Sequence, residues 1–132
     1  MRTIKFRGKD IETDTWVDGD LIQRMGYMPS VMFPYESNGK VRYGECAVKR
    51  ETVGQFTGIT DKNGNDIYEG DIMNDPTSKC VGVVEWNSIL CQFQLSWQNM
   101  HTAADLFFMV KCGSFVIGNI HDNPEMRKGC AK

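Results

Sequence analysis

Apolar and polar positions alternate along most of this chain and rarely fall at helical spacing, which predicts strands nearly throughout. Between Arg2 and Arg7, Ile4 and Phe6 share one face while Lys5 and Arg7 share the other, the pattern of a half-buried strand. Trp16-Val17 and Leu21-Ile22 repeat it on either side of Asp18-Gly19-Asp20. Pro29 and Pro34 bracket Val31-Met32-Phe33. Proline has no N–H for a ladder, so that run is expected on an edge or in a loop. Val81, Val83 and Val84 lead to Trp86 in a further strand, and in the next Ile89, Cys91, Phe93, Leu95 and Trp97 share one face. Leu106 to Cys112 and Ser114 to Ile120 read as two more strands around Gly113. Gln98 to Ala104 is weakly patterned, with room for a helical turn or a loop. Asn123-Pro124 predicts a short terminal helix, with Asn as N-cap and Pro at its first position.

The turns between these segments are the sharpest local signals. Asn63-Gly64 and Asn38-Gly39 both predict type I′ hairpins, because that turn needs positive φ at two successive residues and Asn-Gly supplies both. Around the first, Gln55-Phe56-Thr57 and then Ile67, Tyr68 and Ile72 read as strand, bounded by Gly58 and Gly70. Gly58, Asp61, Asn63, Gly64, Gly70 and Asp71 are accordingly read as structural turn residues. Short strands with turn signals roughly every 8–12 residues give an all-β class with minor α. The Gly70-Asp71-Ile72 step and the strands after it suggest a small SH3-like barrel in residues 59–132, packed with a smaller N-terminal β module in residues 1–58.

The stretch TVGQFTGITDKNGNDIYEGDI, residues 52–72, resembles the signature of the YopX family of phage and prophage proteins. The resemblance continues at Ile4-Lys5-Phe6-Arg7 and at VIGNIHDNPE, residues 116–125, so it spans nearly the full sequence. Where the family pattern often has Tyr, this chain has Phe56 and His121, both mild changes. The resemblance implies a phage or prophage accessory protein and supplies no catalytic residue.

Composition adds exclusions. Its 132 residues make one domain, or two very small ones, large enough to bury a core without staples. Apolar content of 41% and charged content of 24% are those of an ordinary soluble protein. A formal net charge of −2 gives no electrostatic footprint for nucleic acid, although Lys5, Arg7 and Lys9, and Lys49 with Arg50, form local basic groups. Cys46, Cys80, Cys91, Cys112 and Cys130 are odd in number and lack a CxxC pair, which fits reduced thiols in a cytoplasmic protein. No apolar leader follows Met1, and the longest apolar run, Leu106 to Val110, is too short to cross a bilayer. No membrane role is expected.

Asp61, Asn63, Asn65 and Asp66 invite a calcium loop, but the EF-hand spacing fails because Gly64 comes too early and Ile72 stands where a bidentate Glu belongs. His101, His121 and the cysteines lack zinc-ligand spacing, and Cys91 reads as a small core hydrophobe. Asp18, Asp20, Glu69 and Asp71 could form a carboxylate cluster but sit in turn-like contexts. Among the three tryptophans, Trp97 reads as core, while Trp16 could offer a stacking face. No catalytic, metal or cofactor residue is assigned. The leading expectation is a non-enzymatic protein-interaction module that self-associates in the bacterial cytoplasm with an unknown protein partner. A nucleic-acid-binding SH3-like module and a small enzyme built on Glu69, Asp71 and His121 are the alternatives.

Overall fold

The computed structural model describes residues 1–97 and 102–128. Strands take up 53% of the chain and helix 10%, in two antiparallel sheets, so the class is all-β with minor α. The chain divides into two compact units, Met1–Phe56 and Thr57–Lys132.

In the first unit, β1 (Phe6–Lys9), β2 (Trp16–Ile22), β3 (Ser30–Ser37) and β4 (Lys40–Ala47) precede a 3-10 turn at Arg50–Thr52 and the start of β5 (Gly54–Thr60). Across the sheet they run β4-β3-β2-β1-β5. Val31 and Val48 are fully buried at its centre. Gly8 makes room for Val48: a Cβ there would lie 2.8 Å from the valine side chain. The first strand starts later than the alternation predicts. Its ladder to β2 opens at Phe6↔Gly19, which leaves Ile4 beyond the pairing and 52% exposed.

β3 is the larger correction. The two prolines place the run Val31-Met32-Phe33 on an edge or in a loop, yet β3 is bonded on both sides, to β2 and to β4. The physical reason lies in the register. Pairing with β2 stops at Asp20↔Met32, so Pro34 stands on the overhang and faces only Tyr43 of β4. A missing N–H costs nothing on the side where no strand waits for it.

The second unit holds β6 (Asp66–Tyr68), β7 (Asp71–Asn74), β8 (Val81–Asn87), β9 (Gln92–Trp97), β10 (Thr102–Asp105), α1 (Leu106–Lys111), β11 (Val116–Asn119) and a 3-10 turn at Pro124–Lys128. β6 is bonded to β5, and a five-stranded sheet runs β10-β9-β8-β7-β11. Ile67, Met73, Val84, Leu95, Trp97, Leu106 and Met109 form its core. Each large aliphatic side chain buried this way contributes roughly 1.5–3 kcal/mol.

Two predicted strands end differently here. Phe93, Leu95 and Trp97 do alternate inward along β9, but Ile89 and Cys91 lie in the turn before it and are exposed. Asn87 makes that turn, its Oδ1 accepting from the N–H of both Ile89 and Leu90 at 3.0 Å. The run Leu106 to Cys112 holds the helix α1, Leu106–Lys111, with Cys112 as its C-cap, rather than a strand. Asp105 caps it, with Oδ2 accepting from Phe108 N at 3.0 Å, and Leu106 and Met109 face inward one turn apart. Within the weakly patterned gap, Thr102–Asp105 is β10, while residues 98–101, including His101, lie outside the described residues.

Candidate functional site

The densest polar chemistry in the second unit is the bend at Asp61. Asp61 is only 5% exposed, and its carboxylate takes four donors. Oδ1 accepts from Asn63 N and Asn65 N, both at 2.9 Å, and Oδ2 from Asn65 Nδ2 at 3.2 Å and Val116 N at 3.0 Å. Burial pushes this carboxyl up, but the donors from Val116, Asn65 and Asn63 together outweigh it and hold the group below the usual carboxylate range. A carboxylate so committed to N–H groups has no lone pair directed at a cation. Gly64 N also donates to Asp61 O at 3.0 Å, and Asp61 N to Asn65 O at 2.9 Å.

The turn is therefore not the expected type I′. Gly64 takes φ +81°, but Asn63 stays outside the left-handed region. The hairpin is a tight turn followed by one left-handed glycine, with the Asp61 side chain filling the role that a second left-handed residue would have had. The type I′ signature is realised at the other Asn-Gly instead: Asn38 has φ +53° and Gly39 φ +74°, closing Ser37↔Lys40 between β3 and β4.

Asp71 plays a similar part on the other side of the signature. It is 2% exposed, and its Oδ2 accepts from Tyr68 N at 2.8 Å. Gly70, with φ +89°, donates to Val84 O and accepts from Ile120 N, both at 2.9 Å, tying the bend to β8 and to the end of β11. Gly58 also has positive φ, +86°, within β5.

The enzyme alternative finds its three residues near one another. His121 packs beside Gly70, between Glu69 and Asp71 in sequence, with its Nε2 3.5 Å from where a Gly70 Cβ would stand. Asp71 Oδ2, however, already accepts from the Tyr68 backbone N–H. In the first unit, Asp18 pairs with Lys5 at 3.8 Å, and Asp14 takes both Lys9 at 3.8 Å and Lys49 at 2.6 Å. Trp16 lies under Arg7 at 4.5 Å and Lys9 at 5.5 Å, so the face offered for base stacking already holds cations. No three His, Cys, Asp or Glu side chains gather around a metal position among the described residues. Cys46, Cys91 and Cys112 are free thiols, whereas Cys80 is disulfide-bonded, a departure from the reduced state expected of all five.

What the sequence reasoning did not single out is the outer edge of the first unit's sheet. β4 is an eight-residue edge strand on which Val41 and Tyr43 are 67% and 69% exposed. The Ser37↔Lys40 closure of a two-residue turn sets its hydrogen-bond phase. Even-numbered residues of β4 bond back to β3, and odd-numbered ones turn their N–H and C=O outward. Two bonds agree with that phase: Val48 N donates to Pro29 O at 2.9 Å on the β3 side, and Ile11 N donates to Ala47 O at 3.1 Å on the outer side. Among the described residues, nothing bonds to the outward groups of Val41, Tyr43 and Glu45. Next to the edge, Met25 and Tyr27 stand exposed around a depression of about 550 Å³ also lined by Arg24, Met28 and Arg50. Arg24 forks onto Glu45 at 2.7 and 3.1 Å, and Arg50 Nη2 donates to Tyr27 O at 3.2 Å. Lys40 and Arg42 alternating with Val41 and Tyr43 were the available sequence signal, since charges on a strand are a common mark of an edge.

A search among curated proteins returns no match. Among solved structures, the chain is similar to protein EF1440 from Enterococcus faecalis, with a TM-score of 0.61 and 22% identity over 96% of this chain and 99% of that one. At that identity the likeness concerns the fold. The family model described as YopX protein matches residues 5–127, and the chain belongs to the YopX family.

Proposed function

We propose that this YopX-family chain is a phage- or prophage-encoded accessory protein that works through protein contacts and self-associates, without catalysing a reaction, in the bacterial cytoplasm. The observation that carries this reading is the contrast between its polar bends and its sheet edge. The Asp61 carboxylate is taken up by backbone and side-chain N–H groups and Asp71 Oδ2 accepts from Tyr68 N, while the β4 edge presents unbonded backbone beside exposed Val41 and Tyr43. Exposed Tyr, Met and Arg around the neighbouring depression are the residue types that protein interfaces favour. Size exclusion with light scattering tests it. The particle mass is expected to rise above the 15.0 kDa of one chain as concentration increases, and a constant 15.0 kDa at every concentration contradicts it.

A nucleic-acid-binding role is the second reading, and one observation supports it. In the second unit β7, β8, β9 and β10 follow as a meander, and β11 returns to the free side of β7, a strand order that supports reading the unit as an SH3-like barrel. Such barrels often bind nucleic acid, but that is an argument from fold alone. The first unit's Lys5, Lys9 and Lys49 are paired with carboxylates, which leaves less positive field for phosphates. Protein contact is the better-supported reading.

A further inference from the structure

We infer that β4 pairs antiparallel with β4 of a second copy, placing Tyr43 of one copy opposite Tyr43 of the other. The inference rests on the self-association reading and names the surface that performs it. A two-fold axis through an edge strand brings the strand against itself in the antiparallel sense, with the same residues used on both sides.

The phase of β4 allows only registers that set outward-turned residues against outward-turned residues, so Val41, Tyr43 and Glu45 must meet one another. Three registers satisfy this near the strand's centre. Setting Val41 against Tyr43 puts Arg42 directly opposite Arg42 of the second copy, a like-charge pair. Setting Tyr43 against Glu45 puts Val41 opposite Ala47, whose outward carbonyl already accepts from Ile11 N. Setting Tyr43 against Tyr43 avoids both faults. Val41 then faces Glu45, Arg42 faces Gly44, and the three outward pairs exchange about six hydrogen bonds. The two Arg42 side chains are left only diagonal neighbours.

The ends of the edge agree with this register. Asp10 bridges to Val48 and Ile11 bonds to Ala47, so the edge is covered from Ala47 onward. The second copy's strand stops at its own Asn38-Gly39 turn, with Lys40 opposite Cys46, just short of that cover. Beside Cys46 lies a depression of about 200 Å³ lined by Asp10, Glu12 and Glu45 as well. The arriving Lys40 ammonium meets carboxylates there, and two-fold symmetry makes the contact twice.

The test uses the full chain with Cys46→Ser, Cys91→Ser and Cys112→Ser as background. Tyr43→Cys is introduced into it, with Ile89→Cys, on an exposed turn of the other unit, as the comparison. A bismaleimide short enough to join adjacent strands is added, and light scattering is run on each variant before crosslinking. The expected result is a concentration-dependent dimer in which Tyr43→Cys crosslinks at least tenfold faster than Ile89→Cys or the background. Lys40→Glu is expected to raise the dimer dissociation constant at least tenfold, and adding Glu12→Lys to restore it in part. A dimer in which Tyr43→Cys crosslinks no faster than Ile89→Cys overturns the β4 interface and leaves self-association standing. A monomer at every concentration overturns both.

Discussion

Asp61 shows how one side chain settles the meaning of the signature bend. Its four donors come from three residues, and Val116 is 55 positions away in sequence, so one buried carboxylate ties a local turn to β11. Asp61→Asn replaces one acceptor oxygen with an NH2 group facing donors, and is expected to cost about 2–3 kcal/mol in urea denaturation. The pH dependence has a definite sign. Asp61 is held below the ordinary value of about 3.9, so its contribution is present above that pH and is lost as pH falls through the folded-state value. The wild-type chain should lose stability on acidification below about pH 4, and Asp61→Asn should flatten that loss. Asp75 lies in the same direction, because the Thr77 backbone N–H donates to it at 2.9 Å, so the flattening is expected to be partial. Cys46 moves the other way: burial, then the nearby Asp10 charge, raises its thiol. Iodoacetamide with mass spectrometry should therefore find Cys91 and Cys112, both exposed, alkylated well before Cys46.

Among the elements, the two Asn-Gly hairpins make a controlled comparison. Asn38 is left-handed and Asn63 is not, so Asn38→Ala should destabilise by roughly 1 kcal/mol, while Asn63→Ala should be close to neutral. Thermal or urea unfolding of the two variants checks this. At α1, Asp105→Ala removes the N-cap bond to Phe108 and should cost about 1 kcal/mol. These same elements show where reading the chain works and where it stops. Alternation is a local property, and it identified the inward face of β9 at Phe93, Leu95 and Trp97 because one side of that strand meets the core. It misplaced Leu106 to Cys112, since a short apolar run fits a buried strand and a helical turn equally, and Asp105 at the start decides between them. The proline rule failed at β3 because register is a tertiary quantity: nothing near Pro34 reveals that the pairing with β2 stops two residues earlier, at Met32. Asx-Gly chemistry pointed to turns at Asp61 and Asp71, but the long-range bond from Val116 to Asp61 and the near-complete burial of both carboxylate residues could not be read from it. The β4 edge was hidden for the same reason, because a strand is an edge only by virtue of what fails to pair with it.

For the molecule as a whole, the division at Phe56/Thr57 separates two kinds of surface. In the second unit Asp61, Asp71 and Gly70 hold its own strands and bends together. The first leaves a hydrogen-bonding edge open, flanked by Tyr43, Val41 and an acidic depression suited to the edge's own Lys40. Hydrogen–deuterium exchange of the β4 amides, resolved by residue and recorded at low and high protein concentration, tests the account most directly. Arg42 and Gly44, bonded to β3, should be protected at both concentrations, while Val41, Tyr43 and Glu45 should exchange quickly when dilute and at least tenfold more slowly when concentrated. Outward amides that exchange at one rate across the whole concentration range would contradict it.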